Sequence, residues 1–152
     1  DHLLRDEGVM VLINEAVETE IKGEKFLIGS VGTAPDGYEK YAASFMKEFE
    51  KYDGFKLLIS HMPSLYYDKL KYAQIDLGIC GHFHGGQIRI PFLGGLYSLE
   101  YGLFPQYCAG MYELEYGKIF VSRGLGSSHK LPRINNRPEV AVIDINNRKQ
   151  ED

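Results

Sequence analysis

The chain has 152 residues, 44% hydrophobic and 25% charged, the proportions of a soluble globular domain that buries a core. A net charge of −4 supplies no general basic face, so a nucleic-acid-binding role is not expected. The two cysteines, Cys80 and Cys108, lie far apart and form no Cys-x-x-Cys pair, which argues against a disulfide framework.

Asp1-His2-Leu3-Leu4-Arg5-Asp6-Glu7 reads as an amphipathic helix already in progress, stopped by Gly8, without the pattern of a signal peptide. Three β-rich runs follow at 9–13, 16–21 and 25–30. Asn14-Glu15 and Lys22-Gly23-Glu24 separate them, which predicts an antiparallel meander. Pro35-Asp36-Gly37 predicts a loop. Over 38–52 the apolar positions Tyr41, Ala42, Phe45, Met46 and Phe49 recur at helical spacing. Residues 55–59 are too apolar for a strand with one wet face, so that strand is placed at the centre of a sheet.

A short helix opened by Pro63-Ser64 is expected over 65–72, then a buried strand at 75–80 and a return strand at 87–90. Residues 91–106 read as a long aromatic and glycine-rich loop, too broken by Pro91, Pro105 and glycines to span a membrane. Strands at 111–114, 118–121 and 140–145 complete the set. The pattern is α/β, with mixed strands in two packed sheets flanked by helices. Helices are too few and hairpins too many for a doubly wound fold.

Three buried strands run into residues unsuited to a core. Leu57-Leu58-Ile59 leads to Ser60-His61, Ile79-Cys80 to Gly81-His82-Phe83-His84-Gly85-Gly86, and Phe120-Val121 to Ser122-Arg123-Gly124. Ligands of open α/β sheets gather at the carboxyl ends of strands, so these ends predict one shared site. In an extended segment residues two apart share a face, with Cα atoms roughly 6.6 Å apart. Two metals of a hydrolytic pair sit about 3.5–4 Å apart, so His82 and His84 can hold one metal each or both hold one. Neutral imidazole suits Zn, Fe, Mn and Ni alike. His2 and His129 have no such setting and are read as surface residues.

Gly81-His82-Phe83-His84-Gly85-Gly86-Gln87-Ile88-Arg89-Ile90-Pro91 resembles the G-H-x-H block of calcineurin-like metallophosphoesterases, in a bacterial branch that is often membrane-anchored. Leu58-Ile59-Ser60-His61-Met62-Pro63 resembles the histidine block that precedes it. Val121-Ser122-Arg123-Gly124-Leu125-Gly126 and Pro132-Arg133-Ile134-Asn135 resemble the end of the same branch.

The resemblance implies one half of a two-sheet α/β/β/α sandwich holding two divalent metal ions, whether Mn, Fe, Zn or Ni, at the strand ends. It makes His61 and His82 ligands of the second metal and His84 a ligand of the first. Arg123 falls where a cation could pair with substrate phosphate, its other reading being a structural ion pair. Gln87 and Arg89 are read as loop supports.

The family's Asp-x-His, Gly-Asp-x-x-Asp and Gly-Asn-His-Asp or Glu blocks do not occur in this chain. They would supply the bridging carboxylate, an asparagine ligand and the general-acid histidine. Residues 1–152 are therefore expected to be the C-terminal part of one such domain, inactive without its N-terminal half. The whole protein would hydrolyse a phosphomonoester or phosphodiester, a small nucleotide included, with hydroxide generated on two metals, and a membrane anchor would lie outside this chain. The alternative is a non-catalytic metal-binding or scaffold module of the same fold.

Overall fold

The structure is a computed structural model that describes residues 2–32, 37–98, 100–127 and 132–146. Most of the expected loop at 35–37, together with Asp1, His129 and the side chain of His2, lies outside the described residues.

The chain is an α/β protein built on a mixed six-stranded sheet. Helix α1 (His2–Asp6) leads to strands β1 (Glu15–Ile21) and β2 (Glu24–Val31), then helices α2 (Tyr38–Tyr41) and α3 (Ala43–Phe49). Strand β3 (Phe55–Ser60), helix α4 (Pro63–Asp68) and strand β4 (Leu77–Cys80) follow. Short strands β5 (Arg89–Ile90), β6 (Gly94–Gly95), β7 (Tyr97–Ser98) and β8 (Gly102–Leu103) precede β9 (Gly110–Glu113) and β10 (Lys118–Val121). The sheet order is β1-β2-β3-β4-β10-β9, with β5-β6 and β7-β8 as separate two-stranded ribbons.

Strands β2, β3, β4 and β10 run parallel, while β1 and β9 close the two edges antiparallel. The β1–β2 hairpin is set by Lys22 and Gly23, whose φ angles of 54° and 84° give the left-handed turn that matches strand twist. The expected strand at 9–13 does not form. The hairpin fills that edge of the sheet, and Val9, Met10 and Ile13 stay exposed. The expected strand at 140–145 is likewise absent, because its alternate valines, Val140 and Val142, face solvent and no ladder pairs with them. The long helix expected over 38–52 is broken at Ala42, although Ala42 N–H still reaches the Tyr38 carbonyl at 2.9 Å.

One face of the sheet carries the core. Gly29, Leu58, Gly78 and Ile119 lie in register across four strands, and Val31, Ser60, Cys80 and Val121 form the next row. Helices α3 and α4 cover this face through Met46, Phe49, Leu65 and Tyr66, all at most 2% exposed. Burying each such side chain is worth about 1.5–3 kcal/mol. The glycines let the helices close in: a Cβ on Gly78 would meet the Tyr66 ring at 2.5 Å, and one on Gly29 the Phe49 ring at 2.5 Å. Tyr66 O–H donates to the Leu58 carbonyl at 2.7 Å, tying α4 to the central strand.

The opposite face is less covered. Ile28, Leu57, Ile79 and Phe120 are only half-buried there, and Ile59 is 41% exposed. Among the described residues the sheets are this six-stranded one and the two short ribbons. No described helix is long and apolar enough to cross a membrane.

Candidate metal centre

Parallel pairing brings the carboxyl ends of β3, β4 and β10 side by side. Gly81 N–H donates to the His61 carbonyl at 3.1 Å, and Ser122 N–H to the Cys80 carbonyl at 2.8 Å. These two bonds carry the ladder one step beyond the strands, so the residues that follow leave the sheet together at one edge.

His61 and His82 meet there. Nε2 of His61 lies 2.9 Å from Nδ1 of His82, with the rings edge-to-face at 4.7 Å between centroids. Desolvation lowers the His82 pKa, and the neighbouring charge of His61 lowers it further. Both effects favour the neutral imidazole, the form that ligates metal. Phe83 between the two motif histidines is buried against Tyr101, with ring centroids 5.6 Å apart.

His84 sits on the same edge but in a different arrangement. Its Nδ1 lies 3.1 Å from the Gly126 carbonyl, which can accept the ring N–H. The backbone from His84 to Gln87 is left-handed throughout, with φ of 49°, 67°, 78° and 56°. Only glycine adopts that region without strain, so Gly85 and Gly86 relieve two of the four positions. Space also forbids a side chain at both: a Cβ would meet Asn136 Oδ1 at 2.6 Å from Gly85 and Gly95 Cα at 2.5 Å from Gly86.

Arg123 is engaged with Glu139. Its Nε and Nη2 donate to Glu139 Oε1 at 3.2 and 2.9 Å, and its backbone N–H to Oε2 at 3.0 Å. Burial acts to raise the Glu139 pKa, but the Arg123 hydrogen bonds and charge outweigh it and hold the carboxyl below its usual value. Arg133 lies alongside, donating to the carbonyls of Arg123, Gly124 and Gly126.

The donor set fits a divalent ion in part. Two imidazoles on one ion, with bonds of about 2.0–2.1 Å, hold their nitrogens roughly 3.0–3.4 Å apart, close to the His61–His82 separation. A ligating histidine characteristically donates its other N–H to a carbonyl, as His84 can to Gly126. His84 does not complete a cluster with the other two. Among the described residues no three His, Cys, Asp or Glu side chains gather closely enough to hold an ion unaided.

Asn136, Arg133 and Glu139 escaped the sequence reading as contributors to this edge. Arg133 lies in the Pro132-Arg133-Ile134-Asn135 block, which carried no role for it, and the signal for Asn136 is the Asn135-Asn136 doublet, since amide side chains favour bonds to nearby backbone over regular structure.

The chain resembles several curated bacterial proteins. It is 28% identical over 142 residues to "Phosphodiesterase YaeI" of Escherichia coli, covering 93% of this chain and 49% of that protein. It is 30% identical over 123 residues to "Uncharacterized metallophosphoesterase YkuE" of Bacillus subtilis, covering 81% of this chain and 41% of that one. An "Uncharacterized metallophosphoesterase" of Aquifex aeolicus is 30% identical over 148 residues, covering 93% and 52%. The chain therefore spans about half the length of the curated relatives it matches, and these similarities support the metallophosphoesterase family. No protein-family model and no solved structure matches it.

Proposed function

We propose that the chain is the C-terminal part of a metal-dependent phosphoesterase domain that hydrolyses a phosphomonoester or phosphodiester. His61 and His82 would hold one divalent ion and His84 another. The observation that carries this reading is the approach of His61 and His82 ring nitrogens to 2.9 Å at adjacent parallel strand ends. The metallophosphoesterase relatives add the expectation of divalent cofactors, with Mn, Fe, Zn and Ni all compatible with imidazole. When bound, the ions supply Lewis acidity toward phosphoryl oxygens and lower the pKa of water.

The chain's own residues hold that site in shape. Burial lowers the His82 pKa and so favours the neutral form that can act as a ligand. Gly126 fixes the His84 ring, while Arg123 offers a cation to substrate phosphate, in competition with Glu139. The carboxylates and general acid would come from the remaining half of the domain, which this reading seats on the less covered face around Leu57, Ile59 and Ile79.

His84→Ala in the natural full-length protein is the test. Hydrolysis of bis-p-nitrophenyl phosphate with Mn²⁺ supplied should fall at least about 10²-fold, or about 2.7 kcal/mol of transition-state stabilisation. The melting midpoint should hold, because His84 opens a short 3-10 turn beyond the core strands. Near-normal activity would overturn the assignment. The engagement of Arg123 by Glu139 favours a rival, a non-catalytic metal-binding or scaffold module, which metal uptake without hydrolysis by the wild type would select.

A further inference from the structure

The segment 133–139 returns across the His84 loop, and its central contact is a buried amide. Asn136 is 3% exposed, and its Nδ2 donates to the His84 carbonyl at 2.6 Å and the Gln87 carbonyl at 3.0 Å. Those two carbonyls bracket the left-handed stretch in which His84 and Gln87 are non-glycine residues held at positive φ. Such backbone persists only where its surroundings over-determine it.

Neighbouring bonds fix the same frame. Ile134 bridges Ile88, Asn135 Nδ2 donates to the Arg89 carbonyl at 3.1 Å, and Arg133 donates to Gly126, the carbonyl within reach of the His84 ring. Asn136 Oδ1 is buried and has no hydrogen-bond partner among the described residues, so the amide acts there through its two N–H groups.

We propose that Asn136 is a positioning residue for the metal centre, holding the His84–Gln87 backbone in the conformation that sets the His84 imidazole against Gly126. The proposal rests on His84 being a ligand, and it goes beyond that reading by assigning a role to a residue 52 positions away in sequence. Asparagine is suited to the task because one NH₂ group can donate to two carbonyls at once. Aspartate has nearly the same shape but places an acceptor oxygen against both carbonyls.

Asn136→Asp in the natural full-length protein, titrated with Co²⁺, supplies the test, beside His84→Ala in the same titration. Asn136→Asp should weaken the apparent Co²⁺ affinity at least about 10-fold, the scale of losses when the partner of a ligand is removed. It should also change the visible bands of bound Co²⁺ in protein that remains folded at the titration temperature, a combination that a merely structural role would not give. If His84→Ala weakens binding and Asn136→Asp titrates like wild type, the proposal is overturned and the ligand assignment stands. If His84→Ala itself titrates like wild type, the ligand assignment fails and the proposal with it. Should Asn136→Asp not fold, Asn136→Ser, smaller and neutral, carries the same measurement. Loss of folded protein in both would overturn the proposal, making Asn136 a folding residue.

Discussion

The centre of the parallel sheet and the loops at its carboxyl edge are held by different forces. At the centre, Leu58 and Ile119 are fully buried in regular strands, and helices α3 and α4 close on glycines in register. At the edge, His82, His84, Gln87 and Asn135 all have positive φ, and order comes from single side chains bonded to backbone carbonyls. The difference teaches where strain is tolerated. The apolar centre supplies stability in bulk, and the edge spends part of it on a fixed, unfavourable backbone that carries the histidines.

Substitutions at the centre should therefore cost stability, and those at the edge should cost metal binding first. The largest stability loss is expected for Leu58→Ala. A fully buried leucine lost from a central strand destabilises by about 2–5 kcal/mol, readable as a lower denaturant midpoint in the full-length protein. Gly85→Ala is next. With φ at +67° and Asn136 Oδ1 2.6 Å from the new Cβ, strain of about 1–3 kcal/mol is expected. Its sharper signature is metal content, measured by elemental analysis, falling further than the melting midpoint. If it lowers stability alone, the division between centre and edge is wrong.

Tyr66→Phe removes the hydroxyl that reaches the Leu58 carbonyl and should cost about 1 kcal/mol in chemical denaturation, with metal content unchanged. The smallest effect belongs to the partly exposed Arg123–Glu139 pair, where Glu139→Gln should cost below about 1 kcal/mol. Its pH dependence is the informative part. The Glu139 carboxyl is depressed by Arg123, so the pair's contribution is full above the ordinary carboxylate range of about 4.3 and is lost as pH falls through the lower folded value. Melting midpoints of wild type and Glu139→Gln should differ by a constant amount at neutral pH and converge on acidification. A difference that grows toward acid would contradict the pairing.

The same division governed how much could be read in advance. Apolar runs at 55–59, 75–80 and 118–121 mark β3, β4 and β10, and helical spacing over 38–52 marks α3, because burial leaves a period in sequence. The runs at 9–13 and 140–145 have the same composition without a partner, and strand propensity does not specify pairing. At the site, His61, His82 and His84 stood out because each follows a buried run. The contacts of Asn136 and Arg133 did not, since a bond from a side chain to a carbonyl 52 residues away leaves no periodic trace. Arg123 was open to both readings, and its bond to Glu139 depends on a residue 16 positions on.

The most direct test of the metal centre is anomalous X-ray diffraction from crystals of the full-length protein grown with Mn²⁺. The expected result is density for two ions at the carboxyl edge of the sheet, one within bonding distance of ring nitrogens of both His61 and His82 and the other of His84, about 2.0–2.3 Å away. Crystals that take up Mn²⁺ elsewhere while His61 and His82 keep their 2.9 Å contact without an ion between them would contradict it.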